Sequence, residues 1–167
     1  MIYELPNSED PLDQGDLIED CPVLNLRSHP VGSSSQWDVD YGFRRVVILT
    51  QTCDLANKKT TVVNVSEVLA TQFFIEQGLL KASDIKGPLR SGRIWGLYFL
   101  PANAELGLAE MIVDLRRLHT VRLEILRGLC RAGQRKGRLR PPYREHLAKH
   151  FADSFSRIGL PQPYETL

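Results

Sequence analysis

The stretch RRVVILTQTCDLANKK, from Arg44 to Lys59, contains the clearest strand of the chain and ends in a polar cluster. Four consecutive aliphatic residues, from Val46 to Leu49, are apolar on both faces of a strand, which is typical of a central strand. The polar residues that follow, Thr50 to Asp54, either cap a turn or supply nucleophiles and acids. The stretch therefore predicts the centre of a sheet and leaves the chemistry of its end open.

Length and composition predict a single globular domain. The chain has 167 residues, of which 43% are hydrophobic and 25% charged, enough to form a core without metals or disulfides. The first 20 residues hold seven acids and no Lys or Arg, unlike a secretory signal. No apolar run approaches the roughly 20 residues that cross a bilayer. We therefore expect a cytoplasmic protein that has no membrane partner.

Three cysteines, Cys21, Cys53 and Cys130, are widely spaced and include no CxxC pair. An odd number at such spacing argues against a disulfide framework and against a zinc ribbon. His146 and His150 are four residues apart but lack the HExxH order, so a solvated helix face is the favoured interpretation. We expect no metal and no organic cofactor.

Short β-rich segments surround the central strand, at residues 15–18, 60–65, 94–100, 111–115 and 118–121. Pro22 is expected to end the first segment or to place it at an edge, because proline donates no hydrogen bond to a ladder. Ser66 is a candidate N-cap for a helix over residues 66–80. Residues 15–121 are thus predicted to form a β core with one inserted helix.

Residues 122–167 are predicted to form a basic helical tail. Residues 128–137 combine three glycines with basic residues, which indicates a flexible basic link or a frayed helix end. Pro141-Pro142 then precedes a segment that is apolar at helical spacing and ends before Gly159. The apolar set is Tyr143, Leu147, Phe151, Phe155 and Ile158. This pattern predicts a C-terminal amphipathic helix.

Charge is distributed unevenly along the chain, whose net charge is +1. Residues 115–149 contain eleven Lys or Arg against two acids, whereas the first 20 residues are acidic. Either the basic region binds RNA or another anionic partner, or the acidic start folds over it and neutralises it. Arginine forks match phosphate geometry. The candidate nucleic-acid-binding residues are Arg131, Arg135, Lys136, Arg138 and Arg140.

Two segments together resemble the opening of PemK/MazF-like proteins. These are Gly15-Asp16-Leu17-Ile18 and the strand from Arg44 to Thr50. The family barrel starts with a Gly-Asp-aliphatic strand and continues with a basic residue that leads into an aliphatic strand. The resemblance covers residues 15–66 and departs at Arg45, where the family usually has proline. The LTQTCDL strand end is also similar to that of uncharacterised bacterial proteins.

The resemblance implies an SH3-like barrel that is a metal-independent endoribonuclease, or a relative that only binds. Cleavage then needs a group that removes the 2′-hydroxyl proton and a cation that stabilises the phosphorane. The roles implied are the cation for Arg44 or Arg45, a positioning hydroxyl for Thr50, and the proton carrier for Asp54 or His119.

We therefore predict an α+β protein with an SH3-like, partly open β-barrel, an inserted helix and a C-terminal amphipathic helix. The predicted function is RNA binding of the PemK/MazF type, with or without hydrolysis. The alternative is a non-catalytic protein-interaction module or a subunit of a bacterial defence or toxin-antitoxin complex. The oligomeric state stays open.

Overall fold

The computed structural model describes residues 1–28, 38–57 and 60–156. They form an α+β fold in which seven antiparallel strands build one curled, open sheet. The strands are β1 (Tyr3–Glu4), β2 (Asp16–Ser28), β3 (Asp38–Ile48), β4 (Val62–Ala70), β5 (Leu97–Leu100), β6 (Met111–Arg122) and β7 (Arg135–Leu139). The helices are α1 (Thr52–Ala56), α2 (Thr71–Glu76), α3 (Ala82–Asp84), α4 (Leu123–Arg131) and α5 (Tyr143–Phe155), with a π-helical turn over Ile85–Leu89 after α3. Within these residues, no helix combines the length and apolarity needed to cross a bilayer.

β3 lies at the centre of the sheet, whose strand order is β1-β7-β2-β3-β4-β6-β5. Val46 and Ile48 belong to one apolar cluster, and Val47 belongs to a second. All three side chains are fully buried. Because successive side chains of a strand point to opposite faces, β3 contributes to the core on both sides. The predicted central strand and the α+β class are confirmed.

Pro22 was predicted either to end the first strand or to lie at an edge. The edge position is the one observed, because β2 continues through Pro22. A bulge lies between Ile18 and Cys21, where Asp20 has a positive φ of 53°. β7 pairs with β2 only over residues 16–18, so one side of β2 is open at Pro22. The missing N–H of proline therefore disrupts no second ladder.

The helix predicted over residues 66–80 begins later than expected. Ser66 lies inside β4, where its hydroxyl donates to the carbonyl of Asp114 at 2.7 Å. α2 begins at Thr71, and its N-cap Ala70 makes no side-chain capping bond. Ser66 fits the N-cap pattern, but its neighbours Val65 and Val68 pack into opposite apolar clusters, which requires an extended chain.

The basic tail is neither wholly helical nor separate from the β core. Residues 128–137, predicted to be a flexible basic link or a frayed helix end, contain the end of α4 and the start of β7, which pairs with β1 and β2. α5 confirms the C-terminal amphipathic helix over the described residues: Leu147 is fully buried, and Tyr143 and Phe151 pack on the same cluster. Phe155 is half exposed, and Ile158 and Gly159 lie outside the described residues.

Candidate functional site

A bulge in β6 places two arginines beside a buried pair of acids. Leu118 of β6 pairs with Ser66 of β4, and Asp114 of β6 pairs with the next residue of β4, Glu67. The three residues between Asp114 and Leu118, which include Arg116 and Arg117, therefore have no partner on β4. Bulges of this kind redirect side chains and are common beside active sites.

The two carboxylates are almost completely buried, with 3% of Glu67 and 1% of Asp114 exposed. Glu67 Oε1 lies 2.9 Å from His119 Nε2, and Glu67 Oε2 accepts from Arg117 Nη1 at 3.2 Å. Asp114 accepts from Arg116 at 2.7 and 2.9 Å, and this hydrogen bonding raises the pKa of the Arg116 guanidinium. The cations are required because an unpaired buried carboxylate is strongly destabilising.

The side chains around this cluster enclose a pocket of about 320 Å³, which we call the arginine pocket. It is lined by Asn25, Arg44, Glu67, Arg116, Arg117, Leu118 and His119. Arg44 packs against Gly42, and its Nη1 donates to the carbonyl of Phe43 at 3.0 Å. The pocket thus combines three guanidinium groups with a histidine that a carboxylate holds in place.

The structure brings together two of the five predicted catalytic residues, Arg44 and His119, in the arginine pocket. Arg45 is the alternative that geometry disfavours, since its Nε donates to Glu19 at 2.9 Å and it does not line the pocket. Thr50 follows β3, and its hydroxyl accepts from the backbone N–H of Asn64 at 2.8 Å. Its hydroxyl therefore holds the end of β3 against β4.

The polar residues after β3 form α1, away from the lining of the arginine pocket. Neither Thr52 nor Asp54 caps this helix, because its N-cap is Gln51 and makes no side-chain capping bond. Thr52 instead hydrogen-bonds to Asp13. Cys53 is exposed, with its Sγ 3.8 Å from Asp54 Oδ1. Asp54 therefore does not line the arginine pocket, and its role as the alternative proton carrier to His119 stays a prediction.

Two of the predicted nucleic-acid-binding arginines hold the fold together. Arg135 is 5% exposed, and its guanidinium donates to Asp16 and to the backbone carbonyls of Asn7 and Asp10. Arg138 donates to both oxygens of Asp16, at 2.6 and 3.0 Å. Both terminal nitrogens of Arg135, and the Nε and Nη2 of Arg138, therefore donate to groups of this chain. The acidic start has folded over the basic end, which is the neutralising alternative of the two predicted.

The other three members of that set lie nearer the surface. Lys136 Nζ donates to the carbonyl of Gly133 at 2.9 Å, and Arg140 Nε lies 3.5 Å from a carboxylate oxygen of Glu4. Arg131, at the end of α4, is exposed. Of the five, Arg131 and Arg140 therefore keep the exposed position expected of a phosphate contact.

A second cleft, of about 600 Å³, lies between α5 and β5 and is lined mainly by apolar surface. His146 and His150 line it, and the rings of His150 and Tyr98 are 5.8 Å apart. Burial raises the pKa of Tyr98 to about 12, so its hydroxyl is neutral at physiological pH.

Among the described residues, no group of three or more His, Cys, Asp or Glu is arranged to hold a metal. The carboxylate-held histidine with adjacent guanidinium groups is found in the arginine pocket, which we take as the candidate site.

Sequence reasoning missed Glu67, Arg116 and Arg117. Glu67 falls at the start of the helix predicted over residues 66–80, and the two arginines contribute only to the charge of the basic region. A signal was present: Arg116-Arg117 interrupts two apolar runs that form one strand, which is the pattern that a bulge produces.

Comparisons with protein-family models and with curated proteins find no match to this chain. The PemK/MazF resemblance therefore stays a prediction.

Proposed function

We propose that the protein binds RNA in the arginine pocket and cleaves it without a metal, in the manner of the PemK/MazF type. The observation that carries the proposal is the 2.9 Å contact between His119 Nε2 and Glu67 Oε1 beside Arg44, Arg116 and Arg117. We also propose that the curled sheet is an SH3-like, partly open barrel. Seven antiparallel strands with β3 at the centre support this finer assignment.

The chemistry follows from the hydrogen bond to Glu67. That bond places the proton of the neutral imidazole on Nε2 and leaves Nδ1 as the base. His119 Nδ1 takes the proton of a ribose 2′-hydroxyl, the 2′-oxygen forms a bond to the adjacent phosphorus, and the P–O5′ bond breaks. The leaving 5′-oxygen receives a proton from solvent. The products are a 2′,3′-cyclic phosphate and a 5′-hydroxyl.

The arginines stabilise the charge that develops on the phosphorane. Arg44 lines the pocket, and its Nη1 donates to the backbone carbonyl of Phe43. Arg116 and Arg117 are 43% and 44% exposed as side chains although each pairs with a buried acid. The acids therefore hold these guanidinium groups in place while leaving N–H donors for a phosphate.

His119→Gln tests the proposal, because an amide retains a hydrogen bond to Glu67 but cannot act as a base. We expect cleavage of single-stranded RNA in EDTA to fall by about 10²–10⁴-fold, with the melting temperature nearly unchanged. Arg44→Ala should also reduce cleavage, whereas Arg45→Ala, the matched control, should not. Wild-type activity in His119→Gln would reject the proposed base. Activity that depends on added metal would reject the metal-independent mechanism.

A second candidate function is a non-catalytic interaction module, such as a subunit of a bacterial defence or toxin-antitoxin complex. One observation favours it: Leu24, Tyr41 and Phe43 are 70%, 69% and 61% exposed on paired strands. Contiguous exposed apolar side chains mark interaction sites. Under this alternative the wild-type protein neither binds nor cleaves RNA, so the cleavage assay separates the two functions.

A further inference from the structure

A mainly apolar cleft of about 630 Å³ adjoins the arginine pocket. The two cavities share Leu118 and His119 in their linings. The side chain of His119 therefore faces a charged cavity on one side and an apolar cavity on the other. A ligand that contacts His119 can extend into both.

The rim of this apolar cleft contains large apolar side chains that the fold leaves in water. Leu24 of β2 and Tyr41 of β3 are directly paired across the two strands and are about 70% exposed. Leu118 and Ile125 line the same cleft and are 39% and 42% exposed. Soluble proteins leave few such clusters exposed unless a ligand or partner covers them.

The charges around the cleft select the ligand. Arg122 lines the cleft itself, and Arg44, Arg116 and Arg117 lie in the cavity next to it. An apolar surface flanked by guanidinium groups matches a planar base attached to phosphates. Proteins bind single-stranded nucleic acids by this combination of a stacking surface and a basic groove.

We propose that the apolar cleft is a base-binding subsite, which receives one unstacked base of a single-stranded RNA while the neighbouring phosphate lies in the arginine pocket. This inference rests on the proposed function and specifies its substrate. Tyr41 provides the ring on which the base stacks, and Leu118 provides the apolar floor beside His119. A base inside a duplex is covered by its neighbours and cannot enter, so the subsite selects single strands.

The test measures the fluorescence anisotropy of a labelled oligoribonucleotide that carries 2′-O-methyl groups to prevent cleavage. Tyr41→Ala should weaken its binding by about tenfold or more, the usual effect of removing one stacking ring. Tyr41→Trp should keep the affinity within a fewfold of wild type, because indole also stacks. Leu79→Ala is the matched control, since Leu79 is 53% exposed and lines neither cavity.

An abasic scan identifies the base. Removing one base from the oligonucleotide should weaken wild-type binding at a single position and should have no further effect on Tyr41→Ala. If RNA binds but Tyr41→Ala behaves as Leu79→Ala does, the subsite is overturned and the proposed function stands. Equal affinity for single strands and the matching duplex also overturns it. If the wild-type protein binds no RNA, the proposed function fails and the subsite fails with it.

Discussion

Arg135 is a buried cation whose guanidinium connects the last strand of the sheet to the N-terminal segment. It pairs with Asp16, which is fully buried, and donates to backbone carbonyls within residues 7–11. Arg135→Ala leaves Asp16 with Arg138 alone and frees the N-terminal segment. We expect the free energy of unfolding in urea to fall by about 3–5 kcal/mol, the usual effect of breaking a buried ion pair.

The matched control is Arg131→Ala, because Arg131 is exposed on α4. That change should alter the free energy of unfolding by less than about 0.5 kcal/mol. An equal loss in both variants would show that Arg135 contributes only as a surface charge.

The three thiols should differ sharply in reactivity. Burial raises the pKa of Cys21 to about 12 and also raises that of Cys130, so both stay protonated at pH 8. Only the thiolate is nucleophilic, and only Cys53 is exposed. We expect iodoacetamide to label one thiol per native molecule at pH 8 and three after denaturation, with peptide mapping to Cys53. Rapid native labelling of Cys21 would contradict the buried position.

At the scale of single residues, apolar positions could be predicted and charged ones could not. Val46 and Ile48 are buried because aliphatic side chains on both faces of a strand are typical of the centre of a sheet. Arg135 and Glu67 are buried only because partners distant in sequence, Asp16 and His119, neutralise or hydrogen-bond them. The sequence shows acids that could neutralise the basic region, but it does not show which residues pair. The sequence therefore predicts a surface position for Arg135 and the start of a helix at Glu67.

Gly42 in β3 controls the position of Arg44. A Cβ placed on Gly42 would lie 2.8 Å from Arg44 Nη1 and 3.2 Å from its Cζ. A methyl group at this position must displace the guanidinium, which can move because it is the end of a flexible side chain. Gly42→Ala should therefore reduce RNA cleavage while leaving the melting temperature within a few degrees of wild type.

The matched control for this strand variant is Gly87→Ala. A Cβ on Gly87 meets no atom within 4 Å, so the change adds the same methyl group in open space. Cleavage should stay at the wild-type rate. Unchanged cleavage in Gly42→Ala would remove Arg44 from the proposed mechanism, whereas a large loss of melting temperature would show that β3 cannot accommodate a side chain there.

At the scale of elements, the presence of a strand could be predicted better than the residues at which it begins and ends. Two predicted segments, 111–115 and 118–121, are one strand, because the pairing with β4 resumes on the other side of the bulge at Arg116-Arg117. The first three residues of β7 fall in the segment predicted to be a flexible link or a frayed helix end, because its glycines disfavour a strand. β7 forms because Gly137 and Leu139 are buried against neighbouring parts of the fold.

Across the whole molecule, the charge asymmetry of the sequence is largely cancelled by folding. Asp13 lies 2.9 Å from Arg144, Asp16 pairs with Arg135 and Arg138, and Glu4 lies 3.5 Å from Arg140. Charge runs in a sequence indicate a surface field only where the fold leaves them unpaired. The N-terminal acids could be seen in the sequence, but their docking depends on β7 being a strand beside β2, which local pattern did not reveal.

This cancellation makes a prediction about salt. If only the arginines of the arginine pocket contact RNA, no more than about three phosphates are neutralised, and each lowers the slope of log Kobs against log salt by about 0.7 for single strands. We therefore expect a slope of about −2 or shallower, measured by anisotropy titrations at several salt concentrations. Phosphate contacts by all five candidate residues of the basic tail would give a slope of about −3.5. A slope that steep, lost in Arg131→Ala with Arg140→Ala, would move the RNA-binding surface from the arginine pocket to the tail.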